Sequence, residues 1–135
     1  MPSIRISFDN KAVQDNVNRV IGKKVAVIHY TETRNDTAGI YAKYISKYVP
    51  FKTGALRRSA TITDGEIRYS VRSKKGYNYA DVQYRPEAYG YDESTWERHT
   101  PDTYSHWNRH LSTAERQAFY QEVAKIVAEK MNKRG

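Results

Sequence analysis

Histidine and carboxylate side chains gather in one stretch of this chain, where His99, His106 and His110 lie among Asp92, Glu93, Glu97 and Asp102. His106 and His110 are four residues apart, a spacing that places both imidazoles on one face of a helix and that some zinc enzymes use. The glutamate that follows the first histidine in those enzymes is replaced here by Trp107. Two histidines at this spacing in a polar segment are ordinarily water-exposed, so no metal ligand is assigned. Cysteine is absent, which removes disulfides, cysteine-ligated zinc and thiol nucleophiles. No phosphate-cradling glycine loop, nucleophile elbow or paired-carboxylate pattern occurs, and Gly54 and Gly65 stand alone. The expectation is a chain without catalytic residues or a cofactor.

Recognition chemistry is better represented. Arg68, Arg72, Lys74 and Lys75 cluster with Lys52, Arg57 and Arg58, and Tyr69, Tyr77 and Tyr79 are interleaved. Cations of this kind neutralise phosphates and aromatic rings stack on unpaired bases, so these four are the candidate DNA-facing groups. A solvated sheet edge with tyrosine in its ordinary strand role accounts for the same residues. Residues 86–107 are different, with five acidic side chains against one basic in a chain whose net charge is +8. Tyr84, Tyr89, Tyr91, Trp96 and Trp107 lie in or beside that strip and are the candidate subunit-interface residues. An acidic aromatic loop and a basic aromatic hairpin in one chain suit a heterologous contact of the kind that closes into rings.

These groups must be positioned by a chain of 135 residues, 39% of them hydrophobic, which is the size of one domain. Ser3 to Phe8 alternates apolar and polar residues, as a half-buried strand does. Asp9 or Asn10 can cap a helix with Val13, Val17, Val20, Ile21, Val25 and Ile28 along one stripe. Cap- and turn-favouring residues from Thr31 to Thr37 predict a break. A second helix then carries Ile40, Tyr41, Tyr44, Ile45 and Tyr48 and stops before Pro50. Leu56, Ala60 and Ile62 form one predicted strand and Ile67, Tyr69 and Val71 the next, joined at Asp64-Gly65, a dipeptide suited to a tight hairpin. Arg57 falls on the polar face of that first strand and Arg58 on its apolar face. Tyr79 to Tyr84 predicts a third strand, and Arg85 to Thr103 an irregular loop. Ser112 and Glu115 form a capping box that opens a helix with Phe119, Val123, Ile126, Val127 and Met131 on one face. The expected fold is α+β: a small, mostly antiparallel sheet with a β-hairpin, packed against a long N-terminal helical unit and a C-terminal helix.

The run Tyr48-Val49-Pro50-Phe51-Lys52-Thr53-Gly54-Ala55-Leu56-Arg57-Arg58-Ser59-Ala60 resembles the signature of phage minor capsid proteins and of the related head-tail joining proteins (neck and tail-completion). In that group a helix ends at a VP-x-x-(T/D)-G-x-LR-x-S segment leading into a hairpin. Ile67-Arg68-Tyr69-Ser70, Tyr79-Ala80 with Gln83-Tyr84, and Ser105-His106-Trp107 continue the likeness more loosely, over residues 40–131. Pro50, Thr53, Gly54, Leu56, Arg57 and Ser59 are the signature residues. Their roles are architectural: Pro50 denies an amide donor, Gly54 permits the turn, Thr53 hydrogen-bonds it and Leu56 anchors the first hairpin strand.

The resemblance implies a structural virion protein of a tailed bacteriophage, forming or joining a ring at the head-tail connection, with DNA passing through or near its lumen. Its partners would be copies of itself and neighbouring connector and tail proteins. No apolar run is long enough to span a bilayer and the chain opens without a signal peptide, so a soluble protein is expected, made in the host cytoplasm and carried in the virion. The alternative is a small basic nucleic-acid-binding protein. Gly54→Val is expected to harm the fold more than Arg57→Ala.

Overall fold

The computed structural model describes residues 3–22, 31–50, 55–71, 79–92 and 103–134. Strand β1 (Ile4–Ser7) buries Ile6 and leaves Arg5 and Ser7 exposed, as its alternation requires. Helix α1 (Asn10–Ile21) follows at once, its N-cap Asp9 accepting a hydrogen bond from the Ala12 amide at 3.0 Å. It ends at Gly22, which takes φ +86° and closes the last turn onto the Asn18 carbonyl. Val13 and Val17 are buried, whereas Val20 is 54% exposed, so the apolar stripe is narrower than its sequence spacing implies. Val25 and Ile28 lie outside the described residues.

Thr31 to Thr37 is not a break: it forms the opening turns of α2 (Thr31–Ile45). Polar residues that favour turns are accommodated because each finds a partner. The Thr37 hydroxyl donates to the Thr33 carbonyl one turn back, Asn35 Oδ1 accepts the Gly65 amide, and Asp36 pairs with Lys130 at 2.7 Å. The predicted strand through Leu56 is also replaced. Ala55–Arg58 is a single helical turn, α3, and β2 is confined to Thr61–Thr63. Leu56 and Ala60 are four apart, a helical spacing as much as a strand one, and charged Arg58 interrupts the alternation between them.

β2 and β3 (Glu66–Tyr69) form the expected hairpin, with Asp64 and Gly65 both at positive φ in the two-residue turn. β1 pairs with the other side of β3, giving an antiparallel sheet of order β1-β3-β2. Tyr79–Tyr84, predicted as the third strand, is helix α4, with Ala80 buried and Tyr84 one turn later packed against the core. The strand beside β3 comes from the N-terminus instead.

Helix α5 (Thr113–Arg134) lies along both α1 and α2, and α2 also packs on the sheet. Phe119, Val123, Ala124 and Val127 of α5 meet Phe8, Val13 and Val17 from the N-terminal elements and Ile67 and Tyr69 from the sheet in one core. The architecture is α+β, with a small antiparallel sheet packed on helices.

Candidate interaction surface

The signature segment is a clasp. The chain leaves α2 through a 3-10 turn (Ser46–Tyr48) and reaches Pro50, so four carbonyls near this end lack helical partners. Each is satisfied. Val49 N–H donates to the Ser46 carbonyl, Arg57 Nη2 to Lys47 at 2.9 Å, the Tyr104 amide to Tyr48 at 2.9 Å, and Arg57 Nε to Val49 at 3.0 Å. Arg57 therefore does not sit on the polar face of a strand; α3 aims its guanidinium back at the helix end. Leu56 is buried beneath it. Ser59 closes the far side, its hydroxyl donating to the Leu56 carbonyl and accepting the Ser70 amide at 3.2 Å. Thr53 and Gly54 lie outside the described residues.

The same end of α2 is locked to α5 by a repeat that the sequence displays but its reading missed, Lys43-Tyr44 and Lys47-Tyr48. Lys43 and Tyr44 both bond Glu122, at 2.8 and 2.9 Å. Lys47 and Tyr48 both bond Glu115, at 2.8 and 2.5 Å, and Glu115 also completes the capping box with Ser112. Burial alone would raise the Glu115 carboxyl; hydrogen bonds from Lys47, Tyr48 and Ser112 outweigh it and hold it at about 2. The Lys43 hydrogen bond likewise lowers Glu122. Tyrosines that sequence composition assigned to partners are thus spent on the chain's own helices.

Two interface candidates are redirected in the same way. Trp107 is fully buried, edge-on to Tyr69 at 5.2 Å and to Tyr84 at 4.8 Å. Tyr84 is only partly exposed and its hydroxyl is bound to Asn108 Oδ1. Neither ring offers free contact area. Trp96 lies outside the described residues.

Tyr89 and Tyr91 do face solvent, 46% and 56% exposed. They stand on a built projection. Pro86 is buried at its base and starts a 3-10 turn (Pro86–Tyr89). Gly90 ends the turn at φ +80°, with its amide on the Glu87 carbonyl and the Tyr91 amide on that of Pro86, the paired bonds of a Schellman cap. The Tyr89 hydroxyl donates to Asp81, which also takes a bidentate bond from Arg85 at 2.6 and 2.9 Å and is held below the usual carboxylate range chiefly by that guanidinium. His106, itself at positive φ, bonds Glu87 at 2.5 Å and stacks near Tyr84. Glu87 through Asp92 is exposed throughout, an acidic and aromatic knob on a fixed stem.

His106 and His110 do not share a helical face. A 3-10 turn (Trp107–Arg109) separates them, and His110 stacks on Tyr104 with ring centroids 4.1 Å apart. Among the described residues no three His, Asp or Glu side chains converge as metal ligands do. A cavity of about 210 Å³ lies over Phe8, Tyr41 and Phe119 with Arg109 and Arg116 among its lining residues, below the usual size of a small-molecule site.

Of the basic candidates, Arg68 is on the outer face of β3, directly across from Arg5 of β1. Arg72, Lys74 and Lys75 lie outside the described residues. No described helix is long and apolar enough to cross a membrane. Comparison of the chain with protein-family models, curated proteins and solved structures finds no match.

Proposed function

We propose that this chain is a structural subunit of a tailed-phage particle, one that forms or joins a ring at the head-tail connection. The observation that carries the reading is the clasp around Pro50, Leu56, Arg57 and Ser59. Those four signature residues act together, ending a helix, satisfying its carbonyls and fastening it to the hairpin. A motif whose members all serve backbone geometry is suited to a scaffold rather than to a reaction. The knob from Glu87 to Asp92 supplies what a scaffold subunit then needs: preorganised tyrosines standing in solvent and ringed by carboxylates.

Native mass spectrometry of the purified chain across concentration, alone and with the products of genes adjacent to its own, tests the reading. Self-assembly into a closed oligomer, or stoichiometric binding to one of those products, is the expected result. A strict monomer that binds none of them overturns it.

A further inference from the structure

We propose that the outer face of the sheet, centred on Arg5 and Arg68, binds the phosphate backbone of DNA. The pairing register places Arg5 opposite Arg68 and Thr61 on the other side of Arg68, all on the face turned away from the core. Like charges directly across a strand pair destabilise it, so a folded chain that keeps two arginines there retains a local conflict that an anion would relieve. Glu66 relieves only part of it. Its carboxylate lies 3.9 Å from Arg5 Nε, beyond hydrogen-bond distance. Arg68 Nε is buried with no hydrogen-bond partner, a donor left open in a group that otherwise pairs readily. The two guanidinium groups line an open hollow of about 200 Å³ together with Thr63, Asp64 and Glu66.

The rest of the face decides between DNA and an acidic protein surface. Its uncharged members are Ser7, Thr61 and Thr63, and no apolar side chain is among them. Protein interfaces rely on buried apolar and aromatic anchors, which this face lacks. Phosphate contacts are made by arginine with serine and threonine hydroxyls, which it has. The inference does not depend on ring formation, because a single copy carries the whole face.

Fluorescence anisotropy of the full chain with a labelled duplex of arbitrary sequence, across a salt series, tests it. Binding should weaken with salt. Arg5→Ala and Arg68→Ala should each lower the salt slope by about one unit, so that the loss of affinity between 50 and 200 mM salt shrinks by roughly threefold per arginine. Arg68→Lys should keep most of the slope, and Glu66→Gln should tighten binding. Binding that leaves the slope unchanged in both alanine variants overturns the proposal, as does no binding at low salt. Protection by inorganic phosphate without duplex binding overturns it in favour of the free ion. Alanine variants that keep DNA binding but lose self-association overturn it in favour of a protein contact.

Discussion

Arg57 Nε donates to the carbonyl of Val49 at 3.0 Å, tying the single turn of α3 to the residue just before Pro50. The same guanidinium bonds the Lys47 carbonyl, so one side chain serves two of the carbonyls that the end of α2 leaves over. A planar fork of donors suits two acceptors in a way that one ammonium does not.

Arg57→Ala should therefore destabilise the chain by about 1–3 kcal/mol, the range for losing charge-assisted bonds to carbonyls. Arg57→Lys should recover less than half of that. The midpoint of urea unfolding, with unchanged slope, is the measurement. This reverses the expectation from sequence, which gave Arg57 only surface charge.

That reversal shows where sequence reading stops. Alternation marks β1 and β3 because their faces differ in polarity, and Asp64-Gly65 marks the hairpin because its backbone needs two positive φ values. Leu56 and Ala60 carry no such signal, since a spacing of four fits a helical turn as well as a strand with one position skipped. Tyr79 to Tyr84 fails for a similar reason. Ala80 and Tyr84 share a helical face, and only tertiary packing against Trp107 chooses that face over the alternating one. Tyrosine count was the least informative signal. Tyr44 and Tyr48 look like interface residues until Glu122 and Glu115, more than sixty positions away, are brought beside them.

Glu115 makes stability depend on acid. Its carboxyl is held at about 2 in the folded chain against an ordinary value of 4.5, so the unfolded chain takes up the proton first. The contribution is complete above pH 4.5 and disappears as pH falls toward 2. Glu115→Gln should flatten this part of the profile while lowering stability near neutrality, because Lys47 and Tyr48 lose their ionised partner. Urea unfolding at intervals from about pH 6 to about pH 2 would reveal both effects. A profile unchanged by the substitution would mean that other carboxylates carry the acid transition.

Gly65 and Gly90 separate backbone strain from collision. Both have φ near +80°, but a Cβ on Gly65 would lie 3.0 Å from Cβ of Arg34, whereas one on Gly90 meets nothing within 4 Å. Gly90→Ala should cost about 1–2 kcal/mol, the penalty of a left-handed conformation alone. Gly65→Ala should cost more, because the Arg34 side chain must move at its root and the Gly65 amide bond to Asn35 is disturbed with it. Thermal unfolding of the two variants side by side decides this, and equal melting temperatures would show that α2 yields to the hairpin tip without cost.

Tyr91 and Trp107 lie in the same acidic stretch and should behave in opposite ways. Trp107 is enclosed between Tyr69 and Tyr84, and Trp107→Ala should lose about 3–5 kcal/mol, much of a small domain's stability. Tyr91 is more than half exposed on a turn that its backbone, rather than its ring, holds in place. Tyr91→Ala should thus leave the melting temperature within the change expected of a surface residue, about 0.5 kcal/mol. Its effect should appear only in association, weakening assembly by roughly tenfold or more if the ring is a buried anchor of the contact. Sedimentation velocity on variants first shown to be folded distinguishes the two roles. Should Tyr91→Ala assemble like the parent chain while Tyr89→Ala does not, the contact is centred on the ring tethered to Asp81, and the free ring at the tip is its rim.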